Sequence, residues 1–194
     1  ASGVTFNAQY LAGLREAGVE IVPGNWGITP QITNLAPMVE RMRAERVDTI
    51  AGVITPPDLA RLLPALRSAG VDIKVALLLL GYSGSTLREF GPALAGSYIS
   101  ISFQPFEYTN IHSEMQAAMR QYEPHIQPPT QDSAVWGWLA ADLLLRGVSD
   151  AGACPTRESV IKALSEVRGY EGTGLLPHAV DPAPSRGQTN LCYS

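Results

Sequence analysis

Hydrophobic positions in the first half of the chain follow two periods in turn. Phe6, Tyr10, Leu14 and Ala17 recur at helical spacing, as do Leu35, Val39 and Met42, and then Leu59, Leu62, Leu63 and Leu66. Residues three and four apart share one face of a helix, so each set predicts an amphipathic helix. Each helical stripe runs into a short segment rich in β-branched residues. These segments predict strands at 19–22, 47–54 and 73–80, with a fourth at 98–103. The two central ones are apolar almost throughout, the composition of strands covered by helices on both faces.

A repeated phrase marks the joints. Arg15-Glu-Ala-Gly-Val-Glu-Ile, Arg43-Ala-Glu-Arg-Val-Asp-Thr-Ile and Arg67-Ser-Ala-Gly-Val-Asp-Ile lie 28 and 24 residues apart. Each reads as a helix end running into a strand. The arginine complements the dipole of the last turn, glycine stands just past the end in two of the three copies, and a β-branched residue follows. Alternation at this spacing predicts an α/β fold, with a parallel sheet flanked by helices.

The order changes after Phe103. Helices are predicted at 110–122, 133–147 and 156–167, the last with Thr156 as N-cap, Ser159 at the third position and Val160, Ile161, Leu164 and Val167 as its stripe. A proline-stiffened connector, His125-Ile-Gln-Pro-Pro-Thr, separates the first two. The tail after Tyr170 is rich in glycine and proline, with a short strand expected near 174–176. At the other end, Ala1-Ser-Gly reads as the turn after a strand, although a doubly wound domain normally opens with the strand itself. The expectation is a C-terminal piece of a longer protein.

Ligands of open parallel sheets bind outside the carboxyl ends of the strands, and three turns lie there. Thr55-Pro-Pro-Asp58 combines an N-cap threonine, proline at the first helical position and an acid at the third; it reads either as a well-capped helix and no more, or as a cap whose Thr55 also faces the ligand crevice. Gly81-Tyr-Ser-Gly-Ser85 joins a flexible turn to two hydroxyls and a ring, which suits a small polar ligand; the alternative is a solvated loop whose Ser85 caps the next helix. Gln104-Pro-Phe-Glu107 offers Phe106, either against the ligand or in the core beneath a hinge. The expected ligand contacts are therefore Thr55, Gly81, Tyr82, Ser83 and Phe106.

The second turn is also close to the G-x-S-x-G nucleophile elbow, with Ser83 as nucleophile. Its last glycine is serine, and the partners that could be named, Asp132 or Asp142 with His178, place the histidine in a proline-rich tail. No dinucleotide-binding or P-loop glycine pattern occurs. His112, His125 and His178 lack metal-ligand spacing and read as surface residues, so neither metal nor cofactor is expected. Trp136 and Trp138, two apart, cannot share a helical face: one belongs to the core and the other to an interface. Glu114, Glu123 and Glu158 read as solvated helix charges.

Composition narrows the classes further. Apolar residues make up 45% and charged ones 16%, with net charge −4 and basic residues scattered. That excludes the basic stripe of a nucleic-acid partner and the basic face that grips an anionic membrane. The longest aliphatic run, 75–80, is far short of the ~18 residues a membrane helix needs, so no direct membrane insertion is expected. Cys154 and Cys192 stand among turn residues in the last quarter, outside any CxxC or Cys/His cluster. They read either as a disulfide or as two unpaired thiols; as a disulfide they would close a loop of roughly 40 residues worth about 4 kcal/mol and imply an oxidising compartment.

Several segments, in order, resemble the type I periplasmic binding proteins of the leucine/isoleucine/valine group and their actinobacterial relatives. Leu14-Arg-Glu-Ala-Gly-Val-Glu-Ile-Val is similar to that family's first helix-to-strand passage, and Arg46-Val-Asp-Thr-Ile to its next strand. Leu66-Arg-Ser-Ala-Gly-Val, Ala95-Gly-Ser-Tyr, Thr156-Arg-Glu-Ser-Val-Ile-Lys-Ala-Leu and Gly172-Thr-Gly follow in sequence. The resemblance implies two α/β lobes with ligand between them: 1–103 as most of the second lobe, 104–170 returning to the first, and 171–194 crossing back. The amino-terminal part of the first lobe is expected to be missing.

It further implies a non-catalytic, extracytoplasmic solute-binding component of an ABC importer, in the periplasm or at the cell surface, lipid-anchored through the missing N-terminus or not. Its partners would be a small polar molecule, an amino acid or related metabolite, and a membrane permease. The family often has an acidic ligand contact near Gly81 or Tyr82, where this chain is neutral. A ligand-sensing receptor or regulator of the same fold, and a serine hydrolase using Ser83, are the alternatives.

Overall fold

The three arginine phrases close three helices in one and the same way. A computed structural model describes residues 2–24, 26–28 and 31–182. In it, helices α1 (Ser2–Glu16) and α2 (Ala36–Ala44) are followed by α3 (Pro56–Ser68). Past their ends, Gly18, Arg46 and Gly70 all take the left-handed conformation, with φ of 80°, 55° and 71°. The next N–H in each reaches back five residues: Val19 to Leu14 O at 2.9 Å, Val47 to Met42 O at 2.9 Å, Val71 to Leu66 O at 3.0 Å. This is the Schellman closure, and its usual hydrophobic clasp is present where Met42 and Val47, and Leu66 and Val71, share one apolar cluster.

The valines expected to open strands are thus used to close helices, and the strands begin two to four residues later. β1 is Thr49–Gly52, β2 Val75–Leu78 and β3 Tyr98–Ile99, all shorter than the sequence pattern predicts. They form one parallel sheet in the order β1-β2-β3, with Thr49 beside Val75 and Leu77 beside Tyr98. No strand forms at 19–22. There Val19 N–H is held by the helix closure and Val22 O accepts from the Trp26 indole at 3.0 Å, which takes up groups a ladder needs.

Arg46 is the one non-glycine at these three closures. A Cβ in left-handed backbone costs about 1 kcal/mol or more. Arg46→Gly is therefore expected to raise stability by about 0.5–1 kcal/mol, less than the full strain because glycine also loosens the unfolded chain. Gly70→Ala, whose Cβ would meet nothing within 4 Å, is expected to lose about 1 kcal/mol for the mirror-image reason. Urea midpoints of the two variants against the parent chain check both signs.

The chain divides into two compact units, Ala1–Gly81 with Arg88–Ser100, and Tyr82–Leu87 with Ile101–Ser194. In the first, α3 is the central helix. Leu59, Leu62, Leu63 and Leu66 are all at most 4% exposed. Leu62 and Leu66 pack toward Val39 and Met42 of α2, and Leu59 and Leu63 toward Ala76 and Leu78 of β2. α4 (Gly84–Leu94) spans both units, and its last turn receives the Arg67 guanidinium on Ala93 O and Ala95 O.

The second unit is helical: α5 (Thr109–Tyr122), α6 (Asp132–Asp150), α7 (Arg157–Glu166) and a 3-10 turn at Gly172–Gly174. That turn stands where a short strand was expected; the antiparallel bridge in this tail is Tyr170 with Val180 instead. Thr156 and Ser159 cap α7 reciprocally, Ser159 N–H to Thr156 Oγ1 at 3.2 Å and Thr156 N–H to Ser159 Oγ at 2.9 Å. α6 lies against α7 closely enough that a Cβ on Gly147 would meet Leu164. Trp136 is 45% exposed, its indole donating to Ser102 Oγ, while Trp138 is half-buried. Among the described residues no helix is long and apolar enough to cross a membrane.

Candidate functional site

The register of β1 against β2 brings the turns at Thr55 and Gly81 to one end of the sheet, the carboxyl end. Thr55 caps α3 from extended backbone. Its Oγ1 accepts from Asp58 N–H at 3.4 Å and donates to Asp58 Oδ2 at 2.7 Å. Asp58 is 4% exposed, and the Arg61 guanidinium lies 3.4 Å from its other oxygen while also donating to Ile32 O. A buried carboxylate is tolerable only when paired in this way. Gly81 meets the same helix end: its φ is 93°, and a Cβ there would stand 2.7 Å from Pro56 Cγ. Glycine is needed for both reasons.

The next residues belong to the second unit. Tyr82 and Phe106, 5% and 7% exposed, stack with ring centroids 5.1 Å apart and planes 8° apart. Phe103 and His112 complete the cluster, Phe103 at 5.4 Å from Phe106 and His112 at 4.9 Å. The Tyr82 hydroxyl donates to Glu107 and accepts from Phe106 N–H at 3.1 Å. The Gln104–Glu107 turn is held from further sides: Gln104 N–H donates to Leu175 O at 2.7 Å and Gln104 O lies 2.7 Å from His112 Nε2. Tyr82 and Phe106 thus lie in the interior of this unit.

Ser83, not Ser85, caps α4: its Oγ accepts from Thr86 N–H at 3.1 Å, donates to Thr86 Oγ1 at 3.0 Å and lies 2.9 Å from Ser85 Oγ. Residues 82–84 are tied to the start of α6, with Gly84 N–H on Thr130 O and Asp132 N–H on Tyr82 O. Asp142 is engaged by the Tyr170 hydroxyl at 2.9 Å, and His178 is exposed. Tyr170 is pushed above the usual tyrosine range, by burial first and then by that carboxylate.

His112 is the residue that the sequence misplaced. Expected at the surface, it is fully buried, because position 112 of α5 falls on the face that also carries Met115. The i, i+3 pairing with Met115 was the available signal. A carbonyl oxygen only accepts, so Nε2 donates to it, and Nδ1 has no hydrogen-bond partner among the described residues. Glu114, Glu123 and Glu158 are exposed. Cys154 is exposed and Cys192 lies outside the described residues, so their pairing does too. Among the described residues no group of three potential metal ligands forms.

Burial and, next, the Glu107 carboxylate push the Tyr82 hydroxyl up to about 12. The folded state therefore holds this proton where the unfolded chain has released it. Stability is full below about pH 10 and falls as pH rises from there toward 12, because the unfolded state then binds fewer protons. Urea midpoints measured at pH 9 and pH 11 should fall more steeply in the parent chain than in Tyr82→Phe.

The periplasmic binding protein family model matches the chain over residues 1–194. No curated protein and no solved structure matches it.

Proposed function

Since the chain belongs to the periplasmic binding protein family, a family of solute-binding proteins acting in transport outside the cytoplasm, we propose that it is the solute-binding component of an ABC importer. The solute is a small polar molecule, an amino acid or related metabolite, and the partner that receives it is a membrane permease. Residues 1–103 form most of one lobe, 104–170 return to the other and 171–194 cross back. The binding role is non-catalytic, and Cys154 with Cys192 forms a disulfide in an extracytoplasmic compartment.

The observation that carries the reading is the carboxyl end of the parallel sheet, where Thr55 and Gly81 converge on the start of α3. Solutes of open α/β sheets are held at this end. Of the expected contacts, Thr55 and Gly81 touch the solute. Tyr82 and Phe106 stiffen the segment beside it, and Ser83 fixes the start of α4. The hydroxyl of Ser83 gives its proton to Thr86 rather than to a base, which favours binding over hydrolysis.

A thermal-shift screen of amino acids and their amides, run on protein that carries both lobes, tests the proposal. A solute at 100 times its dissociation constant adds about 2.7 kcal/mol to the folded state, a shift of several degrees. Absence of any shift would remove the solute-binding role. Ester hydrolysis abolished by Ser83→Ala would establish the hydrolase instead. Coupling to a signalling output in place of a permease would establish the sensor.

A further inference from the structure

Glycine in the middle of a helix costs stability relative to alanine, and it is needed where something approaches too closely for a Cβ. α6 holds two glycines. Gly147 is buried, and a Cβ there would meet Leu164 of α7, so the contact between the two helices accounts for it. Gly137 is exposed, and a Cβ there would meet nothing within 4 Å. Its backbone is helical, so neither conformation nor packing among the described residues calls for glycine at this position.

The face around Gly137 is open and apolar. Trp136, Leu144 and Leu145 are 45%, 53% and 67% exposed, and Ala140 and Ala141 are exposed between them. Residues 137, 140, 141 and 144 follow one another along one side of the helix. The one charged residue between Ser133 and Leu145 is Asp142, and the Tyr170 hydroxyl engages it. Small residues thus form a shallow hollow, and an exposed leucine stands two turns further on. A continuous apolar face of this kind marks a contact surface.

We propose that two copies of this chain associate through this face, α6 against α6, about a two-fold axis. The pattern is its own complement. An antiparallel axis between Ala140 and Ala141 sets Leu144 of each copy opposite Gly137 of the other, because 137 and 144 lie equally far from that point. Ala140 and Ala141 meet at the centre and let the helices approach closely, with their dipoles opposed. The ten residues from Trp136 to Leu145 span about 15 Å. A contact of that length stays near the lower bound of specific interfaces, about 1,000 Å² in all, so the dimer is weak, with a micromolar dissociation constant.

Sedimentation equilibrium of the chain tests this, with reductant present so that the exposed Cys154 cannot link copies. The parent chain should show a monomer–dimer equilibrium in the micromolar range. Gly137→Leu fills the hollow, and Leu144→Glu places a charge in the contact. Each should raise the dissociation constant about tenfold or more. Both positions are exposed, so the melting temperature of dilute protein should change little in either variant. A chain that stays monomeric up to about 1 mM, or a dimer that both variants leave intact, would overturn the proposal. So would a dimer that vanishes in protein carrying both lobes, because the face would then be covered from within the same molecule.

Discussion

Phe103→Ala is expected to destabilise the second unit by about 3–5 kcal/mol, the range for deleting a buried aromatic side chain. Phe103 is 2% exposed and its ring lies 6.1 Å from Tyr82, 5.4 Å from Phe106 and 6.2 Å from His112. Alanine removes a fully buried ring that meets each of the other three. Collapse into the space is limited because Tyr82 and His112 are each tied by hydrogen bonds to the Gln104–Glu107 turn. Against a total stability of about 5–15 kcal/mol this is a large fraction. Denaturant titration followed by tryptophan fluorescence measures it, and Phe103→Leu should cost clearly less because it keeps most of the volume. A loss below about 1 kcal/mol would mean that the cluster is solvated, and would return Tyr82 and Phe106 to the set of direct solute contacts.

Gly81→Ala is expected to cost about 2–4 kcal/mol, the sum of two effects that glycine alone avoids. One is the positive φ of 93°; the other is the approach of a new Cβ to 2.7 Å and 2.8 Å from the Pro56 ring. The ring cannot rotate away as a long side chain can, so the backbone of the turn or the start of α3 must shift. Gly70→Ala separates the two terms, since it has a comparable φ of 71° with nothing in reach. The excess of Gly81→Ala over Gly70→Ala is then the packing contribution. Because the displaced element carries Thr55, the same substitution should weaken solute binding at temperatures where the variant remains folded. Equal losses at the two positions would show that the turn yields freely.

Local chemistry determined much of this protein. The helix closures at 18, 46 and 70, the Thr55 cap with Asp58, the Thr156–Ser159 cap and the buried stripe of α3 all depend on residues within about six positions of one another. Such features are written in sequence at fixed spacing, and the parallel α/β class follows from their alternation. What depends on distant partners was decided only in the folded chain. The 19–22 segment has the composition of a strand, but a strand exists only with a neighbour, and its backbone groups are used by the α1 closure and Trp26. Ser85 was the expected cap of α4, but with Gly84 tethered to Thr130 that helix begins directly after Ser83, which caps it instead. Tyr82, Phe106 and His112 come from three separate segments, and nothing in the spacing of 82, 106 and 112 says that their rings meet. Burial is a property of the assembled core, so polar-looking His112 lies within it, while Val53 and Leu80, apolar in sequence, remain at the surface.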